Sequence, residues 1–130
     1  MKDKIRFFFT FKGETPAKKN SRRVLRSGKT IPSRRFELWH NENLFCLFRQ
    51  KCPVKPLTEP LFIKMIFTHG DKTRRDSDNE ATSILDLLQD GNVISDDNWQ
   101  IVRKISIENR YEKNNPHCDI MIFDYREKEV

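Results

Sequence analysis

LFIKMIFTHGDKTRRDSDNEATSILDLLQDGNVISDD, residues 61–97, changes its hydrophobic period in mid-course, and that change decides what can be built around it. In its first part Leu61, Ile63, Met65 and Phe67 alternate with Phe62, Lys64, Ile66 and Thr68 up to Gly70-Asp71, the period of two that belongs to a strand. Further on, Ala81, Ile84, Leu85 and Leu88 fall at i, i+3, i+4 and i+7. That is the apolar stripe of a helix over 79–88, stopping at Asp90-Gly91-Asn92. A strand handing over to an amphipathic helix buries both apolar faces only in a layered fold.

Upstream, the segment from Lys4 to Phe11 puts Phe7, Phe9 and Phe11 on one side of a strand. Residues 12–35 lack apolar periodicity, and 18–29 contain no acid, so this part reads as a basic arm or loop. From Phe36 to Lys51, Trp39, Leu44, Phe45, Leu47 and Phe48 suggest an amphipathic helix that ends before Pro53, and Pro53, Pro56 and Pro60 stiffen the connection to Leu61. Downstream, Trp99, Ile101, Ile105 and Ile107 share one face of a third strand. Cys118 to Phe123 forms a fourth, and Glu112-Lys113-Asn114-Asn115-Pro116 between them has the look of a hairpin. The order β-α-β-α-β-β predicts an α+β fold, a small sheet of about four strands with two helices, as a single domain over 1–130.

The composition fits such a domain. Hydrophobic residues make up 36% of the 130, below the roughly 45–50% of an average domain, but ten Phe, two Trp and two Tyr bury large areas each. No run reaches the ~20 apolar residues of a membrane span, and Met1-Lys2-Asp3-Lys4 leads into a strand-like stretch, which predicts a cytoplasmic protein. The charge is unevenly placed. Residues 1–60 carry 15 Lys and Arg against 5 Asp and Glu, a net of +10, while residues 61–130 carry 10 against 14, a net of −4. A basic half suits a polyanion, and an acidic half repels one unless its carboxylates hold metal ions. Three Cys and three His show no paired metal-ligand spacing, and the odd cysteine count argues against a disulfide framework.

The acids form a constellation. Asp76, Asp78, Asn79 and Glu80 lie where the strand gives way to the helix, and two readings are open there. Ser77-x-x-Glu80 fits a capping box, with Asp76 and Asp78 suited to the positive end of a helix. Alternatively these acids meet Asp96-Asp97, which lie beyond the helix. The nine residues from Leu88 to Asp97 span up to roughly 30 Å when extended, enough to return along a helix of about 15 Å. Carboxylates converging there would offer hard oxygen ligands for Mg²⁺ or Mn²⁺.

With these residues in place, the chain resembles the RusA family of Holliday junction resolvases over most of its length. One part of the resemblance is Gly13-x-x-Pro16-x-Lys18-Lys19-Asn20-Ser21 and the basic stretch to Pro32-Ser33. The other is Asp76-x-Asp78-Asn79, the helix with Ile84, Leu85, Asp86 and Leu88, and Val93-Ile94-x-Asp96-Asp97. The resemblance implies a homodimeric, Mg²⁺-dependent endonuclease that nicks two opposed strands of a four-way DNA junction in recombination and repair, with no small-molecule cofactor. Asp76, Asp78 and Asp97 match the catalytic metal-binding aspartates, with Asn79 and Asp96 in support. Lys18, Lys19, Arg22, Arg23, Arg26 and Lys29 are the expected DNA-binding cations. One position departs from the pattern: the family's catalytic lysine, one turn after the Asp-Asn pair, is Thr82 here. Arg74 and Lys72 share parity with Asp76 and Asp78 in an extended segment and are candidates to supply that charge, as are Lys18 and Lys19. The competing expectation is a junction-binding protein of the same fold that cuts weakly or not at all.

Overall fold

The computed structural model describes residues 4–17 and 22–126. Its elements are β1 (Phe7–Lys12), β2 (Arg22–Val24), β3 (Thr30–Pro32), α1 (Arg34–Leu47), β4 (Leu61–His69), α2 (Ser77–Asp90), β5 (Val102–Tyr111) and β6 (His117–Asp124). β1, β6, β4 and β5 form a sheet in that order, and β2 and β3 pair as a separate two-stranded sheet. The expected α+β architecture is present. β4 and β5 run parallel, linked by α2, whereas β6 is antiparallel to both β4 and β1.

The period-two reading of β4 is realised as the core. Ile63 and Met65 sit beside Ile122 and Ile120 of β6, and Phe9 of β1 pairs with Ile120, so apolar side chains line up in rows on one face. Phe36, Trp39 and Leu47 of α1 and Ile84, Leu87 and Leu88 of α2 cover that face, and all are buried. Gly91 permits the helices their contact: a Cβ there would lie 2.1 Å from Leu47 Cδ2. The left-handed residue that ends α2 is Asn92, at φ 59°.

Four expectations need correction. The basic arm contains the β2–β3 hairpin, closed by Leu25 N–H donating to the Lys29 carbonyl. α1 starts earlier than Phe36 and stops before Lys51, because Ser33 accepts a hydrogen bond from Phe36 N–H and so caps the helix at Arg34. Its buried spine is Phe36, Trp39, Asn43 and Leu47, leaving Phe45 and Phe48 exposed. The third strand begins only at Val102, so Trp99 lies outside it and is 70% exposed. Finally, β5 and β6 are no hairpin: they flank β4, and the 112–116 loop crosses the end of β4, where Glu112 and Asn114 N–H groups donate to the His69 and Gly70 carbonyls. A strand reached through a crossover helix pairs parallel with its predecessor, and β4, the most apolar strand, takes the sheet centre.

Candidate functional site

The start of α2 lies beneath the chain that leaves β1. Gly13 turns that chain at φ +85°, a conformation that favours glycine, and donates its N–H to the Pro116 carbonyl. Thr15 and Pro16 are then buried, and Ser83 of α2 donates its hydroxyl to the Pro16 carbonyl at 2.5 Å. A cavity of about 300 Å³ opens between the two segments, lined by Thr15 and Ala17 on one side and Arg74, Arg75, Asp76, Asn79 and Glu80 on the other.

The capping box does not form. The N-cap is Asp76, one residue before Ser77, and its carboxylate makes no capping hydrogen bond. Ser77 stands inside the helix, where its oxygen accepts from Asn109 Nδ2 at 2.9 Å. Glu80 is turned inward, 2% exposed. Asp76 is thus an exposed carboxylate on the cavity wall with no hydrogen bond or ion pair from its side chain among the described residues, and Asp78 is exposed on the same helical turn. Thr82 is exposed too, and its hydroxyl donates to the Asp78 carbonyl at 3.2 Å, tied to the helix backbone.

The candidate cations separate clearly. Arg74 lines the cavity, is exposed, and has no ion pair among the described residues. Lys72 instead places its ammonium 5.3 Å from the ring centre of Tyr111. Arg75 is held by Asp71 at 2.8 Å and by Glu14 at 3.3 Å, and its guanidinium keeps the Asp71 carboxyl well below the usual range. Arg23, Arg26 and Lys29 are exposed on the β2–β3 hairpin, Arg23 reaching Glu37 at 3.3 Å. Lys18 and Lys19 lie outside the described residues, as does the side chain of Arg22.

Asp97 is elsewhere. After α2, Ile94 bridges to Leu57, and the Asn98 carbonyl accepts from Ile101 and Val102 N–H as the chain enters β5. Asp96 accepts from Asp97 N–H at 2.7 Å, and hydrogen bonding, from Asn98 first, holds its carboxyl low. Val102 pairs with Leu61 at the beginning of β4, whereas Ser77 touches Asn109, seven residues further along β5. Those seven residues amount to about 23 Å of strand. Within one chain, the residues after α2 therefore do not return to its start, because parallel pairing draws them directly into β5. Asp76 and Asp78 stand at one end of α2 and Asp97 at the other.

Among the described residues, a different group brings its ligand atoms within 4.8 Å of one another: Glu14, His69 and Glu80. Burial pushes Glu80 up to about 7, against the pull of His69. For His69, burial acts downward, but hydrogen bonds with Asn109 and Glu14, together with the negative charges of Glu14 and Glu80, outweigh it and hold the imidazole above its ordinary value. Sequence spacing gave no sign of this group, since its members lie 55 and 66 residues from Glu14. The one available signal was a glutamate four residues before Ile84 on the apolar stripe of α2.

A family model described as Endodeoxyribonuclease RusA matches residues 12–123, a span that takes in the basic hairpin, the cavity and Asp76, Asp78, Asp96 and Asp97. No curated protein matches the chain.

Proposed function

Since the chain belongs to the RusA family of endodeoxyribonucleases, we propose that it resolves four-way DNA junctions by paired nicks, as a homodimer using Mg²⁺. The observation that carries this reading is the Asp76 carboxylate, which occupies an N-cap position without capping and faces the cavity beside Arg74, itself without an ion pair among the described residues. Carboxylate oxygens are the donors Mg²⁺ takes, and Mn²⁺ accepts the same set. Bound there, the ion supplies Lewis acidity toward a phosphate oxygen and lowers the pKa of a water.

Two protomers are needed because of where Asp97 lies. A site holding Asp76, Asp78 and Asp97 requires the start of α2 from one protomer and the 96–98 turn from the other. β5 is a sheet edge, with Ile105 and Ile107 each 38% exposed on the side that carries the helices. Antiparallel pairing of β5 with its copy sets the beginning of one β5 beside the end of the other, and so carries Asp97 toward the partner's helix start. Arg74 would bind the phosphate beside Asp76, and the β2–β3 hairpin would hold the junction arms through Arg23, Arg26 and Lys29.

The second reading, a protein that binds junctions and cuts poorly, is favoured by Thr82, whose hydroxyl brings no positive charge. Cleavage of a labelled four-way junction in Mg²⁺, Mn²⁺ and EDTA separates the two. Mixing subunits tests the shared site. A dimer of one Asp78→Asn and one Asp97→Asn chain keeps one intact site if the aspartates come from different protomers. It should therefore nick, while neither parent homodimer does. A mixed dimer as inactive as its parents would return all three aspartates to one chain.

A further inference from the structure

The Glu14, His69 and Glu80 group lies inward of the aspartates and plays no part in the function proposed above. Glu80 is 2% exposed, and neither of its carboxylate oxygens has a hydrogen-bond partner among the described residues. A buried carboxylate so placed carries a desolvation cost that only a proton or a cation offsets. Its two neighbours are arranged for the cation. Asn109 donates its Nδ2 to Ser77, which turns Oδ1 toward His69 Nε2 at 2.8 Å. Nε2 therefore carries the proton, and in the neutral imidazole the lone pair sits on Nδ1, which faces Glu14 Oε2 at 2.9 Å. The other Glu14 oxygen is 3.3 Å from Arg75, which in turn is anchored to Asp71. Each of these two ligands thus has an outer partner that fixes its orientation, an arrangement common to metal sites.

We propose that Glu14, His69 and Glu80 form a second cation site, separate from the Mg²⁺ site, that takes a divalent ion of the zinc class. One imidazole with two carboxylates suits Zn²⁺, which accepts nitrogen and oxygen ligands together, better than Mg²⁺, which asks for an octahedron of oxygens. The two carboxylates balance the ion's charge. The cavity beside Glu80 leaves room for a water as the fourth ligand. Binding displaces the proton shared by His69 Nδ1 and Glu14, together with whatever proton Glu80 holds.

The test uses the full-length protein, freed of metal, with Zn²⁺ measured in competition with a chromophoric chelator and Co²⁺ as the visible-spectrum probe, all without DNA. The expected result is saturable binding of one ion per chain, with a Co²⁺ spectrum of low coordination number. Glu80→Leu should abolish it; leucine suits a buried helical position, and a melt without metal shows whether the variant folds. Asn109→Ala keeps all three ligands and should weaken binding about 10–100-fold. Asp78→Asn should leave binding unchanged, which separates this site from the Mg²⁺ site, whose own test is junction cleavage. The proposal is overturned by wild-type protein that does not saturate with Zn²⁺ at neutral pH. It is equally overturned if folded Glu80→Leu binds as the wild type does, or if binding is lost with Asp78→Asn and kept with Glu80→Leu.

Discussion

Glu80 sets a stability profile that can be measured directly. Its carboxyl lies at about 7 in the folded chain against 4.5 for an ordinary glutamate. The native state therefore holds a proton that the unfolded chain has released, so stability falls as pH rises from about 4.5 to about 7. His69, raised above its usual 6.5, acts in the same direction: its stabilising charge is lost as pH climbs through its folded value. Glu14, Arg75 and Arg35 are the other charges acting on Glu80. In EDTA, Glu80→Gln should flatten urea-unfolding stability across that window by an amount on the order of 3 kcal/mol; an unchanged slope would remove Glu80 as its cause. Asp76→Asn, Asp78→Asn and Asp97→Asn should each abolish cleavage and keep or tighten junction binding in a gel-shift assay, since each removes a charge that repels phosphate. As Asp76 makes no capping bond, its substitution should cost less than the ~1 kcal/mol of a lost cap. Thr82 is i+4 from Asp78, and Thr82→Lys would project an ammonium over the turn carrying Asp76 and Asp78. A tenfold gain in cleavage rate needs about 1.4 kcal/mol of transition-state stabilisation. A flat rate, together with a large loss in Arg74→Ala, would show that Arg74 already fills that role.

At the level of elements, the sequence was most legible where a single period ran unbroken. β4 and α2 stand where alternation and the i, i+3, i+4, i+7 stripe put them, because each buries one continuous face against the core. The β2–β3 hairpin was not legible: its strands are three residues each, too short for an apolar pattern to mark them, and Arg23, Val24 and Thr30 are exposed. Its role is measurable. Replacing Arg23, Arg26 and Lys29 together by Ala should shallow the slope of log K for junction binding against log salt by up to about 2–3. An unchanged slope would make the hairpin a bystander. The packing of α1 on α2 has its own test. A methyl added in Gly91→Ala meets Leu47 and should destabilise the fold by about 1–3 kcal/mol in urea titration, without changing cleavage by the folded fraction.

For the whole molecule, the decisive geometry is the parallel pairing of β4 with β5, which leaves Asp97 about a strand's length from Asp76 and Asp78. If β5 meets its copy edge to edge, Ile107→Lys should convert the dimer to monomer in sedimentation and remove cleavage while the chain stays folded. A monomer that still cuts would refute the shared site. The sequence by itself determined the α+β class, the central strand, the helix behind the aspartates and the membership that the Asp76-x-Asp78-Asn79 and Asp96-Asp97 motifs announced, since all of these rest on local periodicity and short spacing. It also placed a basic stretch before an acidic one. Only the tertiary structure decided that Asp76 does not cap its helix, that the 112–116 loop crosses β4 instead of closing a hairpin, and that Asp97 ends far from its fellows. The same holds for Glu14, His69 and Glu80, joined across 66 residues of chain. Each of these depends on which strand pairs with which and in what direction. Strand pairing follows from competition among all the apolar faces for one core, and no window of local sequence contains that competition.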